Sequence, residues 1–268
     1  MPKSSIARKP IPKFKKVDLD IANLCAEALW YGVNFETGKP QTSDANLMSR
    51  FAPFFYEYHQ TKIQPNPNIF ILDVRDLILA CGIKTLFRGI AGMDFHKGIN
   101  SIYVDVYPIF QKSLKKPSRI SSCDDAIKCL GSLSKGFVVD PKDNRLSLAS
   151  RILFFLSPNL HTFNMNNKIA VAFGLPTRPH YHYADYFELF SKGLITNQTA
   201  LSKYKMPKMR DNLDYKTWYE ASRTDWWKRR VLDIAVILLT SSKVVPHPNL
   251  RQLVKEAIKK DKDNSVIT

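Results

Sequence analysis

Amide and aromatic side chains are concentrated in one stretch of the sequence, where they could bind a base or a sugar. The segment HTFNMNNK, residues 161–168, contains Asn164, Asn166 and Asn167. The segment RPHYHYADYF, residues 178–187, adds the rings of histidines, tyrosines and a phenylalanine. Amides can read the edge of a base or the hydroxyls of an attached sugar, and aromatic rings can stack on either. The composition of this stretch therefore fits a ligand pocket.

Each of these groups also has a structural interpretation. The three asparagines fit the cap of a helix that begins near Asn166. Tyrosines at helical spacing are typical of a core. The side chains of His180 and His182 suit a protein surface or a hydrogen-bonded core better than a metal site. On sequence alone, the pocket interpretation and the structural interpretation both stand.

The net charge indicates a polyanionic partner. The chain has 40 Lys and Arg against 24 Asp and Glu, a formal charge of +16, and a pI near 9.6. Such a balance is typical of proteins that bind DNA, RNA or an anionic membrane. The longest apolar runs, residues 69–72 and 235–239, are too short to span a membrane, and the basic N-terminus lacks the apolar segment of a secretory signal. We expect a cytoplasmic protein that binds nucleic acid and no membrane.

The cations fall into four groups, residues 1–16, 112–119, 203–210 and 228–230. Residues 1–16 combine basic side chains with three prolines and no acid, a composition typical of a flexible, extended and solvated arm. The arm is interpreted either as a solubilising tail or as a DNA contact. The loop at 203–210 supplies predicted DNA contacts through Lys203, Lys205, Lys208 and Arg210.

The sequence lacks the common signatures of metal and nucleotide sites. Cys25, Cys81, Cys123 and Cys129 do not have the paired spacing of zinc or iron–sulfur ligands, so we predict reduced core thiols and no metal site. The patterns GxxxxGK[ST], GxGxxG, HExxH and GxSxG are also missing. Nucleotide hydrolysis, dinucleotide redox chemistry and zinc proteolysis therefore lose most of their support.

Apolar residues recur at helical spacing along most of the chain, and no internal repeat or βαβ alternation interrupts them. The pattern predicts an all-α protein. In the first helix the predicted buried face is Ile21, Leu24, Cys25, Ala28 and Leu29, with Asp18 or Asp20 as the cap. Further helices are predicted at residues 46–61, 69–81, 124–134, 146–156, 166–173, 183–194, 231–239 and 250–258.

The segment at residues 124–175 resembles the core of the helix-hairpin-helix DNA glycosylase superfamily, which includes the 8-oxoguanine glycosylases. Leu148, Ala149 and Ser150 open a helix like the second helix of that core, and SPNLHTFN places Asn164 where the family has an aspartate. The run TDWWKRRVLDIAVILL also resembles the closing helix of related uncharacterised bacterial proteins. Two features depart from the family, the longer hairpin SKGFVVDPKDNR and the amide in place of the acid.

The resemblance implies a bundle-like domain, residues 17–268, whose two closely packed helical subdomains flank a cleft. It implies a monofunctional glycosylase that needs no cofactor, flips a damaged or modified base and leaves an abasic site. Asn164 would position the attacking water. Either Asp185 or Asp140 would supply the acid, or the amide would suffice because the leaving base is already good. The implied base pocket consists of His161, Phe163, Asn166, Asn167, Tyr183 and Tyr186. The implied DNA contacts are Lys135, Arg151, Lys168, Lys203, Lys205, Lys208 and Arg210.

The abundance of amides and rings leads to a narrower expectation about the substrate. It favours a bulky modified base, as in bacterial defence proteins that excise glucosylated hydroxymethylcytosine from phage DNA. The expected partner is double-stranded DNA with modified bases, bound by a monomer. Lys135 could lie near the hairpin, the place where bifunctional members of the family carry a Schiff-base lysine, and it would then be the candidate for that role.

Two other functions remain open. The chain could be a DNA- or RNA-binding module that kept the scaffold and lost its acid, or a metal-dependent nuclease using Asp94, Asp105 and Asp185. Asp233 is interpreted as a buried partner of Arg230, with a site acid as the alternative. The pair Trp226 and Trp227 is expected to place one ring in the core and the other towards solvent or DNA.

Overall fold

The computed structural model describes residues 8–46, 48, 150–151, 154–155, 161–175, 183–208 and 216–265. Several predictions lie outside these residues. They concern the helices at 69–81 and 124–134, the cations at 112–119, Lys135 and Arg210, the acids Asp94, Asp105 and Asp140, His180 and His182, and Cys81, Cys123 and Cys129.

The regular elements among the described residues are all helices, which confirms the all-α prediction for this part of the chain. Within it no strand occurs, and one isolated bridge joins Val33 to Pro40. The helices are α1 (Lys16–Trp30), α2 (Asn167–Ala172), α3 (Tyr183–Leu201), α4 (Lys216–Thr240) and α5 (Leu250–Ser265). Helix α4 is central, because α1, α2 and α3 pack against it, while α5 packs on α1.

A cluster of indole rings joins α1 to α4. The ring centroid of Trp30 lies 6.2 Å from that of Trp226 and 6.0 Å from that of Trp227. Each indole of α4 also satisfies its N–H: Trp226 Nε1 donates to the carbonyl of Phe154 at 2.9 Å, and Trp227 Nε1 donates to Asn23 Oδ1 at 3.0 Å. Both α4 tryptophans are fully buried, so the expectation that one faces solvent or DNA is wrong. Hydrogen bonding of both N–H groups explains why neither ring needs water.

Helix α1 begins and packs almost as its sequence predicts. The N-cap is Lys15, so neither Asp18 nor Asp20 occupies the predicted cap position. Asp18, at the third position of the helix, instead accepts a hydrogen bond from the Lys15 backbone N–H at 3.2 Å and stabilises the first turn. Cys25 is a buried free thiol, as predicted, and burial raises its pKa to about 12. Ile21 is 40% exposed and does not belong to the buried face. Ala22 and Ala26 take its place, because the face in contact with α4 is rotated from the predicted one.

Residues 8–15, which we call the N-terminal strap, lie along α3. Lys9 N–H donates to the Phe173 carbonyl, and Phe14 N–H donates to Asn197 Oδ1 at 2.9 Å. Ile11 is buried at a point where a Cβ on Gly193 would lie 2.8 Å from its Cδ1, so the glycine permits the close approach. The strap has no regular secondary structure, and instead of being solvated along its whole length it is docked, because Ile11 and Phe14 enter the core.

Helices α3, α4 and α5 carry the predicted apolar faces but are longer than predicted: α4 begins at Lys216 rather than at 231, and α5 ends at Ser265 rather than at 258. Helix α3 runs seven residues beyond the predicted end at 194, and α5 buries Leu250 and Val254 on its predicted face. Helix α4 buries Val231, Ile234 and Ala235 as expected. Leu239 is 53% exposed, so the predicted face does not extend to the last turn of α4.

Candidate functional site

Two tyrosines from α3 hold the backbone of residues 163–166. The Tyr183 hydroxyl bonds the N–H and the carbonyl of Phe163, both at 3.0 Å. The Tyr186 hydroxyl donates to the Asn164 carbonyl at 3.0 Å and accepts from the Asn166 N–H at 3.3 Å. Both tyrosines are buried, and burial raises the pKa of Tyr186 well above its usual value. These two predicted pocket residues therefore fix the position of Asn164 through the main chain.

The end of this segment is a helix cap. Asn166 is the N-cap of α2, and its Oδ1 accepts a hydrogen bond from the Lys168 N–H at 2.9 Å. Capping by Asn satisfies a backbone donor that a helix otherwise leaves without a partner. The predicted capping role is thus confirmed for Asn166. The Ser150 hydroxyl accepts from the Met165 N–H at 2.8 Å, which ties the same segment to a residue that is itself helical.

The Asn164 side chain lies between an arginine and a carboxyl group. Arg151 Nε donates to Asn164 Oδ1 at 3.4 Å, and the amide of Asn164 lies beside the carboxyl group of Asp233. Asn164 is 5% exposed and Asp233 is 2% exposed. The neighbours of Asn164 therefore combine an amide, a cation and a carboxyl group in a space that excludes bulk water.

Arg230 connects this pair to a second buried acid. Its Nε and Nη2 lie 2.9 and 2.8 Å from Asp44 Oδ2, and its Nη1 lies 3.5 Å from Asp233 Oδ2. The predicted partnership of Arg230 with Asp233 is confirmed, but the closer partner is Asp44, which is 186 residues away in sequence. No sequence signal marks Asp44, because such a pairing has no periodicity or spacing.

Burial dominates the titration of these acids. It raises the pKa of Asp233 to about 6, while the charges of Arg230 and Arg151 and the Asn164 amide act in the opposite direction and the Asp44 carboxyl group adds to the rise. The pKa of Asp44 is also raised by burial, against the attraction of Arg230. A carboxyl group with a pKa near 6 can both accept and release a proton close to neutral pH.

Arg229 is a second buried cation, and sequence reasoning missed its role. It is 1% exposed, its Nη1 donates to the Thr162 carbonyl at 2.6 Å, and its guanidinium lies 5.6 Å from the Phe154 ring centroid. Burial lowers its pKa to about 10. The cation group at 228–230 is therefore mostly internal. The one signal in the sequence for the burial of these arginines is that Arg229 and Arg230 are followed directly by the apolar run VLDIAVILL.

Three buried polar atoms near Asn164 have no hydrogen-bond partner among the described residues. They are Thr162 Oγ1 and Asn167 Oδ1 in the Asn164 segment itself, and Asp233 Oδ1 on the neighbouring carboxyl group is the third such atom. An unsatisfied buried acceptor or donor carries a desolvation cost of about 1–3 kcal/mol, which a bound polar group would relieve. The segment that carries Asn164 thus retains unused hydrogen-bonding capacity on both sides.

Phe163 and His161, two other predicted pocket residues, lie against α3. Phe163 is buried, with its ring centroid 5.5 Å from that of Phe187 and 5.4 Å from that of Phe190. The half-buried His161 ring makes edge contacts with Phe163 and Phe187. Burial lowers the pKa of His161 to about 4, and the charge of Arg229 acts in the same direction. His161 is therefore a neutral ring at physiological pH.

The titration of His161 gives a testable pH dependence. Because its pKa is lower in the folded protein, the unfolded chain binds more protons between about pH 6.5 and about pH 4, and stability falls as pH falls through that window. We expect His161→Phe to reduce the loss of unfolding free energy between pH 7 and pH 4 by on the order of 2 kcal/mol. Urea unfolding at both pH values measures this difference. An unchanged loss would show that His161 is not held neutral.

The structure separates the other predicted site residues. Asp185 forms an ion pair with Arg8 at 2.8 Å, outside the buried cluster around Asn164. Lys168 is exposed at the start of α2. Lys203, Lys205 and Lys208 are exposed beyond the other end of α3. Residues 186 to 201 of α3 span about 22 Å at 1.5 Å per residue, so the basic loop lies far from Asn164.

Among the described residues, no group of three or more His, Cys, Asp or Glu side chains could hold a metal ion. In the same part of the chain, every helix is too short or too polar to cross a membrane. Comparison of the chain with protein-family models, with curated proteins and with solved structures found no match.

Proposed function

We propose that the chain is a monofunctional DNA glycosylase that binds double-stranded DNA and hydrolyses the glycosidic bond of a flipped base. The formal charge of +16 supports a DNA partner. The observation that carries the catalytic part is the Asp233 carboxyl group beside the Asn164 amide, because it supplies an acid next to the position where the sequence has an amide.

The two side chains would divide the reaction between them. Hydrolysis breaks the bond between the sugar C1′ and the base nitrogen while the oxygen of water bonds to C1′, and the sugar passes through an oxocarbenium-like state. Asn164 orients the water, and Asp233 accepts its proton. The departing base leaves with the bond electrons and is protonated from solvent. A pKa of about 6 suits Asp233 to this role, because general bases work best when their pKa lies near the working pH.

The substrate that we propose is a bulky modified base, such as glucosylated hydroxymethylcytosine in phage DNA. The free oxygen of Asn167 and the hydroxyl of Thr162 lie on either side of Asn164 in sequence and suit the hydroxyl groups of a sugar. Recognition by hydrogen bonds to hydroxyl groups discriminates strongly, since a base without them leaves these protein atoms without partners.

The test compares three variants on the same DNA. Wild type, Asn164→Ala and Asp233→Asn are incubated with phage genomic DNA and with oligonucleotides that carry modified bases. Alkali then cleaves at abasic sites, and mass spectrometry identifies the released base. We expect each substitution to slow base release by about 10²–10⁴-fold, the usual contribution of a positioned acid–base group. Thermal unfolding and DNA retention establish that the variants are folded and bind.

Two matched acids serve as controls. Asp44→Asn removes the other carboxylate on Arg230 without touching Asn164, so it should alter stability and leave base release within about tenfold of wild type. Asp185→Asn removes the acid that is paired with Arg8 and should also leave release intact. Loss of release in Asp185→Asn alone would transfer the catalytic role from Asp233 to Asp185. No abasic sites with wild type on any modified DNA would refute the glycosylase.

A non-catalytic DNA- or RNA-binding module is the second candidate. The observation in its favour is the engagement of Asn164, whose side chain and carbonyl both have protein partners and which is only 5% exposed. This module would retain DNA and release no base. A metal-dependent nuclease would instead cut DNA in a reaction that chelators stop, so one reaction with a chelator separates it from both.

A further inference from the structure

Three basic segments that are far apart in sequence meet around Asp20. The Tyr204 hydroxyl, just beyond α3, donates to Asp20 Oδ1 at 2.7 Å. Lys16 Nζ, at the start of α1, lies 2.6 Å from Asp20 Oδ2. The hydrogen bonds from Lys16 and Tyr204 lower the pKa of Asp20, and the charge of Arg251, in the first turn of α5, lowers it further. Asp20 thus marks a junction between α1, α5 and the loop after α3.

The side chains around this junction are exposed cations. We call them the basic surface, and they are Lys13, Lys15, Lys16, Lys203, Lys205, Arg251 and Lys255. Lys16 is ion-paired with Asp20, whereas no ion pair joins the other members to a carboxylate within the described part of the chain. The acids of α1 at this end are Asp18 and Asp20. Because the solvated cations of the basic surface outnumber the carboxylates of Asp18 and Asp20, this surface attracts a polyanion.

The backbone beneath this surface is held firmly. The Asn197 side chain of α3 accepts from the Phe14 N–H at 2.9 Å and donates to the Pro12 carbonyl at 3.1 Å. Lys13 and Lys15 are therefore presented by a docked strap. Tyr204 ties the loop that carries Lys203 and Lys205 to α1. Cations on fixed backbone lose less entropy on binding a regular phosphate array than cations on a free tail.

The position of the basic surface relative to Asn164 follows from α3. Tyr186 holds the Asn164 carbonyl near one end of the helix, and the basic surface begins beyond Leu201 at the other end. The helix between them covers about 22 Å. At 3.4 Å per base pair, that length corresponds to roughly six or seven base pairs of B-form DNA.

We infer that the basic surface binds the phosphate backbone of duplex DNA roughly six or seven base pairs to one side of the base addressed by the Asn164 site. The placement of the base rests on the proposed function, whereas the binding of duplex DNA by this surface does not. The basic surface adds a second contact with the duplex, and this contact fixes the direction in which the duplex lies on the protein.

The first experiment measures affinity by fluorescence anisotropy with an unmodified 24-base-pair duplex. The variant Lys203→Gln/Lys205→Gln/Arg251→Gln removes one charge at each of three positions on the basic surface. A control variant, Lys39→Gln/Lys243→Gln/Lys260→Gln, removes three charges from exposed lysines that lie neither on the basic surface nor on α3. We expect the first variant to bind about tenfold or more weakly and its salt slope to fall by about three, one unit per lost phosphate contact, while the control stays within about threefold of wild type.

Equal weakening by both triple variants, or none by the first, would overturn the inference, because DNA binding would then depend on total charge or on another surface. Anionic vesicles and single-stranded RNA of matched length test the alternative partners. If the basic-surface variant loses vesicle or RNA binding and keeps duplex binding, the surface belongs to that other partner.

The second experiment tests position, with duplexes in which the modified base has twelve base pairs on both sides or only four on one side. We expect the wild type to bind about tenfold more weakly when one particular flank is shortened and to be indifferent to the other, because a four-base-pair flank cannot reach the basic surface. The asymmetry should vanish in the basic-surface variant. Binding that is lost equally with either flank would refute the placement. If no base is released, the glycosylase fails while the first experiment still decides the DNA surface.

Discussion

Replacing Arg230 with methionine is expected to lower the free energy of unfolding by about 3–5 kcal/mol. The guanidinium is ion-paired with two buried carboxyl groups, Asp44 and Asp233, and its removal deprives both of that ion pair in a space that excludes water. Methionine keeps most of the side-chain volume, so the loss reports electrostatics rather than a cavity. Urea unfolding at pH 7 measures the change.

A rescue variant separates this explanation from simple misfolding. Arg230→Met combined with Asp44→Asn and Asp233→Asn removes the charges that Arg230 neutralises, and we expect it to recover at least half of the lost stability. The stability of Arg230→Met alone should also improve as pH falls from 7, because loss of the Arg230 charge raises the pKa of both acids further and protonation neutralises them at a higher pH than in the wild type. A single variant within about 1 kcal/mol of wild type would mean that water or other groups already solvate the two acids.

Replacing Trp226 with alanine is expected to lower the free energy of unfolding by about 3–5 kcal/mol. The ring is fully buried and touches Trp30, Phe154 and Phe155, and its N–H donates to the Phe154 carbonyl. Alanine leaves a large cavity and an acceptor without a donor. Thermal and urea unfolding measure the loss.

Trp226→Phe refines this prediction. It keeps most of the apolar area and deletes the N–H, so it should lose about 1–3 kcal/mol. The exposed Val245 provides a control, since Val245→Ala should change stability by less than about 0.5 kcal/mol. Equal losses in Trp226→Ala and Val245→Ala would contradict the central place of the indole cluster.

The helices and their caps were accessible from the sequence because they depend on neighbours a few residues away. Asp18 and Asn166 stabilise helix starts through atoms two or three residues distant, and the spacing of Tyr183, Tyr186, Phe187 and Phe190 fixes the buried face of α3. The partner of Asp233 was also predictable, since Arg230 lies one turn away on the same helix. Local geometry determines all of these contacts.

The parts of the candidate site that could not be predicted depend on pairings across the chain. The approach of Asp44 to Arg230, of Arg229 to the Thr162 carbonyl, and of Asp233 to Asn164 joins segments separated by tens to hundreds of residues. A basic arm looks solvated by composition, yet two apolar side chains, Ile11 and Phe14, are enough to dock it where Gly193 leaves room. The overall composition of a segment does not reveal the effect of such single apolar residues.

The distant pairings of the N-terminal strap and α1 have a consequence for biosynthesis. Asn23 bonds Trp227 across 204 residues, and Phe14 bonds Asn197 across 183. At about 5–20 residues per second, a ribosome takes roughly 10–40 s to make the chain between Asn23 and its partner. Throughout that time the apolar face of α1, with Leu19 and Trp30, has no helix α4 to cover it. The apolar face of α1 therefore stays uncovered on the nascent chain until α4 has been made, and the native core closes only after that.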